Sequence, residues 1–154
     1  MVKQKRTKAL AVVAALIALN ALGCGGGGNG SQVEEGSLSK QEIVQEASAL
    51  CLQFQQQGQK QLFDYQEKHL KAGEAEIAGA VVVPVLEEQL EEMKALGAPR
   101  GEGPAIQAII GAYESALQKA QENPHALADR STLLFAEYDR QAKKYGFAKC
   151  AYLT

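Results

Sequence analysis

The sequence predicts an all-α fold, a small up-and-down four-helix bundle, on three observations. Apolar residues recur at three- and four-residue steps in four separate stretches, the period of a helix face. Helix start and stop signals bound those stretches, at Ser39, Gly97 with Pro99, Pro104, Asn123-Pro124 and Gly146. The one run with strand character, Val81-Val82-Val83, leads directly into Pro84 and a glutamate-rich continuation, which a central strand does not accept. A length of 154 residues suits one domain with room for processing segments. A hydrophobic content of 46% with 22% charged residues is enough to build a core and excludes wholesale disorder.

Taken in order, residues 1–23 read as a processed leader. Lys3, Lys5, Arg6 and Lys8 form a basic start, and residues 9–22 form an apolar run. That run is shorter than the roughly 20 apolar residues a permanent membrane-spanning helix requires. Ala21-Leu22-Gly23-Cys24 then places small residues ahead of a cleavage point, where a signal peptidase rejects bulk. Gly23-Cys24 at the end of the apolar run resembles the bacterial lipobox, although Ala21 and Leu22 depart from its commonest order. The resemblance implies cleavage between Gly23 and Cys24 and a thioether-linked diacylglycerol on Cys24. Two acyl chains anchor stably where one binds only marginally. An ordinary secretory signal with an incidental cysteine is the alternative. Residues 24–37 continue as Gly25-Gly26-Gly27-Gly28-Asn29-Gly30-Ser31 and onward, a flexible linker with little to bury. The expected address is the extracytoplasmic face of a cell membrane, reached through lipid on Cys24, with the bundle domain occupying residues 38–154.

The first helix starts at a capping box. Ser39 faces the free N–H groups, Glu42 reaches back, and Leu38 with Ile43 forms the hydrophobic staple. Ile43, Ala47, Leu50, Phe54, Leu62, Tyr65 and Leu70 mark its inner face, with Gly58 as a weak point. The glutamine-rich residues 53–61 form its solvated side. A second helix is expected over residues 74–96, with Val82, Leu86, Leu90 and Met93 inward, a kink at Pro84 eased by Gly79, and an end at Gly97 and Pro99. The third starts near Pro104, lines its inner face with Ile106, Ile109, Ile110, Tyr113, Leu117 and Ala120, and closes at Asn123-Pro124. The fourth runs from Asp129 or Ser131 to Tyr145, with Leu134, Phe135, Tyr138, Ala142 and Tyr145 inward. Lys143 and Lys144 suit the negative end of its dipole, and Gly146-Phe147 cap it.

Once Cys24 is lipidated, Cys51 and Cys150 remain as an even pair in an exported chain, a setting in which they bond. A bridge would tie the C-terminal tail to helix 1. A redox-active pair is the other reading, but such pairs sit as Cys-x-x-Cys near a helix start, which this spacing does not offer. The runs Ser39-Lys-Gln-Glu-Ile, Ala49-Leu50-Cys51, Val83-Pro84-Val85-Leu86, Ala95-Leu96-Gly97-Ala98-Pro99 and Tyr145-Gly146-Phe147, with Cys150, resemble small two-cysteine helical lipoproteins of high-GC Gram-positive bacteria. That resemblance spans most of residues 39–150 and implies the fold and the disulfide, with no activity attached.

Composition narrows the function classes. Four of the basic residues lie in the first eight positions, so 12 face 18 acidic residues in the remainder, a charge of about −6. An acidic domain speaks against nucleic acid, which demands clustered Lys and Arg, and against adhesion to anionic lipid. Glu122 and His125 have the Glu-x-x-His spacing of di-iron bundles, but Asn123-Pro124 separates them and the motif occurs once where two are needed. Glu87, Glu88, Glu91 and Glu92 form an acidic ridge, best read as a solvated helix face with Glu91 paired to Lys94. Tyr113, Tyr138 and Tyr145 belong to the core with their hydroxyls toward its rim, and Tyr65 is a candidate to join them. Ser115, Ser131 and Thr132 have no base in a recognisable relation. The expectation is a membrane-anchored binding, interaction or structural module with no catalytic, cofactor or metal residues; a small-ligand or metal carrier using the bundle interior is the second reading.

Overall fold

A computed structural model describes residues 38–129 and 133–151. The leader, the Gly23-Cys24 junction and the glycine linker lie outside the described residues, as do Ser31, Ser131 and Thr132. Within the described residues the chain is helical throughout. Its elements are α1 (Lys40–Lys68), α2 (Glu74–Ile77), a π-helical segment (Ala78–Val82), α3 (Val83–Ala95), α4 (Gly103–Glu122), α5 (His125–Ala128), α6 (Ala136–Tyr145) and a 3₁₀ turn (Ala148–Cys150).

The start of α1 is held as its sequence prescribes. The Ser39 N–H donates to Glu42 Oε2 at 2.7 Å, and the Glu42 N–H donates to Ser39 Oγ at 3.3 Å. These contacts hold the Glu42 carboxyl below its usual range, the Ser39 backbone bond being the larger cause. The helix runs unbroken through Gly58, where a Cβ would stand 3.4 Å from Val85 Cγ1. Gly58 therefore sits beside Val85 of α3 and does not end α1. Ile43, Ala47, Cys51 and Phe54 are buried. Beyond them the expected face thins: Leu62 and Tyr65 are half-buried, and Leu70 is 88% exposed. The helix ends at Lys68 and the chain turns, with Ala72 N–H donating to His69 O, so Leu70 lies past the point where helical periodicity places residues.

The second helix expected over 74–96 is present and runs without a break from Glu74 to Ala95, with a π-helical turn between two α-helical stretches. Pro84 has no N–H, and its ring would crowd the carbonyl of Ala80 in a continuous α-helix. The preceding turn widens to a π-helix, in which the Val83 N–H reaches Ala78 O. That extra residue per turn rotates the inward face, so Val81, Val83 and Val85 are buried while Val82 is half-buried. Leu86, Leu90 and Met93 follow the expected stripe. The helix stops at Ala95, and Gly97 adopts φ +70°.

The third helix begins and ends as predicted. The fourth does not: Asn123 caps α4, Pro124 nucleates the short α5, and Asp129 is extended, so the last helix begins only at Ala136. Phe135, Tyr138, Ala142 and Tyr145 are nevertheless buried, Leu134 partly, and Asp139 joins them. Gly146, at φ +123°, lets both its own N–H and that of Phe147 donate to Ala142 O.

The core lies between α1, α3, α4 and α6. α3 packs on both α1 and α4, and α6 packs on α4. Gln121 donates to Glu87 near one end of α3, and Lys94 pairs with Glu114 near the other, so α3 and α4 run antiparallel. Tyr113 and Tyr138, both fully buried, meet edge to face at 4.8 Å and 85°. Phe135 completes a triangle, 5.4 Å from Tyr113 and 6.2 Å from Tyr138.

Candidate functional site

Cys51 and Cys150 are bonded, with their Cα atoms 5.1 Å apart across 99 residues of sequence. Both are buried. The bridge fixes the 3₁₀ turn, and with it Phe147, against the first half of α1. The tie from tail to helix 1 follows from two side chains that face each other across the core.

Next to the bridge lies a buried polar arrangement that periodicity did not signal. Gln89 is 4% exposed on an otherwise apolar stripe of α3. Its Nε2 donates to Cys51 Sγ at 3.2 Å, and its Oε1 lies 3.3 Å from the Tyr113 hydroxyl. That hydroxyl is also 3.2 Å from Leu86 O and has one proton to give. A glutamine inside a glutamate-rich segment reads as surface; its position one turn from Leu86 and Met93 is the signal that it faces inward. The arrangement joins α1, α3 and α4.

The acidic ridge is divided among neighbours. Glu87 accepts from Gln121 at 2.6 Å, Glu88 from Gln57 at 3.0 Å, and Glu91 from Lys94 at 2.8 Å. Lys94 also reaches Glu114 at 2.9 Å, and the hydrogen bonds it donates to Glu91 and Glu114 raise its pKa. Between α3 and α4 these groups border an open groove of about 260 Å³ floored by Leu90 and Leu117. A second depression, of about 420 Å³, lies at the α1–α2 turn around His69, Leu70 and Glu76.

Tyr65 is not a core tyrosine. Its ring stacks on His69 at 4.2 Å, and its hydroxyl donates to Glu76 at 3.1 Å, tying α1 to α2. Burial and that carboxylate raise its pKa. His125 starts α5 while Glu122 ends α4, both exposed, so the Glu-x-x-His spacing falls across a helix break. Among the described residues no three His, Cys, Asp or Glu side chains are gathered to hold a metal ion.

Tyr145 closes the end of the domain where α1 and α4 begin. The Lys40 ammonium sits 4.3 Å above its ring and 3.5 Å from Glu102. The hydroxyl is buried without a partner in hydrogen-bonding geometry. Desolvation, followed by the nearby Glu102 carboxylate, pushes its pKa up to about 12.

Compared with protein-family models, with curated proteins and with solved structures, the chain matches none.

Proposed function

We propose that this chain is a lipoprotein precursor whose mature form holds a stapled helical domain at the extracytoplasmic face of a cell membrane, as a binding or structural module. The observation that carries the reading is the order of signals in one short stretch: basic start, apolar run, Gly23-Cys24, then a glycine linker. Residues 1–23 are the signal peptide, Cys24 the lipidation site, residues 24–37 the tether and residues 38–154 the domain. Two properties of the domain are compatible with this. Among the described residues no helix is long and apolar enough to cross a membrane. The Cys51–Cys150 bond suits an oxidising compartment.

We read the four long helical segments as an up-and-down bundle. In support, Lys40 at the start of α1 meets both Glu102 at the start of α4 and Tyr145 at the end of α6. The interior at the level of Tyr113 and Tyr138 is filled by their rings, so a carrier of small ligands or metal in the lumen would have to open that cluster. The module reading therefore stands ahead of the carrier.

The test is a Cys24→Ala variant expressed in the host and fractionated. The reading expects the protein to leave the membrane fraction. Retention in the membrane at the level of the parent protein would show that lipid on Cys24 is not the anchor.

A further inference from the structure

The two sulfurs of the Cys51–Cys150 bridge stand in opposite surroundings. Cys51 lies within the 29-residue α1, with helical backbone on either side of it. Cys150 lies on a three-residue 3₁₀ turn, held by the bond from its own N–H to Phe147 O. The polar groups beside the sulfurs differ in kind as well. Gln89 Nε2 donates to Cys51 Sγ at 3.2 Å, whereas Cys150 Sγ faces an acceptor, Ala47 O, at 3.3 Å.

That difference acts when the bond is made or broken. Thiol–disulfide exchange passes through a mixed disulfide, in which an external thiolate joins one sulfur and the other departs as a thiolate. An N–H donor stabilises the charge that gathers on a departing sulfur, while a carbonyl oxygen suits only a protonated thiol. Negative charge is therefore favoured at Cys51 and disfavoured at Cys150. Access points the same way. Both residues are buried, but uncovering Cys51 requires α1 to part from α3, and uncovering Cys150 requires only one short turn to lift. Short elements open locally at lower cost than long packed helices. The donor is also held in aim, because Gln89 Oε1 lies 3.3 Å from the fully buried Tyr113 hydroxyl and the amide nitrogen is left toward the sulfur.

We propose that the bridge opens and closes from one side, with Cys150 as the sulfur that joins an external thiol and Cys51 as the thiolate that leaves or returns. Gln89 is the positioning residue of this exchange. In closure the Cys51 thiolate attacks Cys150 of the mixed disulfide. The Cys51–Cys150 bond forms, the bond from Cys150 to the partner's sulfur breaks, and the partner departs as a thiolate. Opening runs the same step backward, and a second thiol then takes the partner's sulfur from Cys150. The two electrons thus come from thiols that end as a disulfide. The partner is a thiol–disulfide carrier that meets the 3₁₀ turn and never has to reach α1.

The experiment uses the full chain with Cys24→Ala, which leaves two of the 3 cysteines and makes the outcome independent of lipidation. The oxidised protein is treated with reduced glutathione under native conditions and quenched in acid. Its free thiols are then blocked under denaturing conditions and the peptides mapped by mass. Chains carrying one glutathione are expected to hold it on Cys150 over Cys51 by about tenfold or more. Gln89→Met keeps the length of the side chain and removes the donor, and is expected to slow opening about tenfold. The sign separates positioning from packing, since a residue that only fills the core would loosen the domain when replaced and speed opening. Glutathione on Cys51, or on both cysteines equally, would overturn the proposal, and that outcome is read without any change in the core. An opening rate that Gln89→Met leaves unchanged or raises would overturn it as well.

Discussion

The two ends of the helical domain are built on different terms. At the end where α1 begins, three devices overlap: the capping box of Ser39 and Glu42, the Cys51–Cys150 bond, and the Gly146 turn that folds Phe147 into the core. At the other end α1 runs on past its last buried residue, Phe54, to meet the start of α3 and the short α2. Tyr65 holds α2 through one carboxylate, and Gly79 approaches the Pro124 ring. The first end has a covalent bond beside the main core; the second buries only a smaller apolar set that includes Ala78 and Val81 and adds exposed polar contacts. Hydrogen exchange should divide the domain along this line, because local opening follows the density of buried contacts.

Breaking the stapled end has the largest expected effect. The double change Cys51→Ala and Cys150→Ala releases a loop of 99 residues, and the chain-entropy model assigns such a closure about 4–5 kcal/mol. Urea unfolding of the oxidised parent and the double variant measures it. Gly146→Ala comes next. Its φ of +123° strains any side chain, and the new Cβ would lie 3.3 Å from Val44 Cγ2, so a loss of about 1–3 kcal/mol is expected by the same assay.

Tyr145→Phe sharpens the comparison through pH. The buried hydroxyl has no partner, so removing it at neutral pH should be neutral or stabilising, within about 1 kcal/mol. The folded state holds the phenol proton up to about pH 12, whereas an unfolded tyrosine gives it up near 10. Ionisation near pH 10 therefore favours the unfolded chain, so stability is unaffected by this group below pH 10 and falls as pH rises to 12. Thermal melts across that window should show a fall in the parent that the Phe variant lacks. At the far end Phe63→Ala, at a 61% exposed position, should change stability by no more than about 0.5 kcal/mol, since it removes little buried area.

What the sequence made legible follows the same division. Short-range rules sufficed where the chain's own neighbours decide the outcome. The Ser39 cap, Pro104 opening α4 and Gly146 closing α6 all lie where local chemistry places them. The inward stripes of α4 and α6 were visible because a helix packed on one side needs one apolar face. The disulfide matches the expectation from an even pair of cysteines in a chain read as exported. Three features were not legible. The π turn arises from a conflict between Pro84 and continuous packing, and periodicity reports only the packing. Phe135 and Leu134 match the inner face of a helix that begins only after them, because a turn and a helix can bury the same pair. Gln89 is buried by its partners Cys51 and Tyr113, which lie 38 and 24 residues away in the chain. Leu70 shows the converse error: its spacing continues a pattern after the helix that carried it has ended.

The most direct test of the central claim is the intact mass of the protein extracted from host membranes, measured with and without reductant. The account predicts a chain beginning at Cys24 with diacylglycerol attached, gaining one pair of hydrogens on reduction. A full-length mass that reductant leaves unchanged would contradict both the cleavage and the bridge.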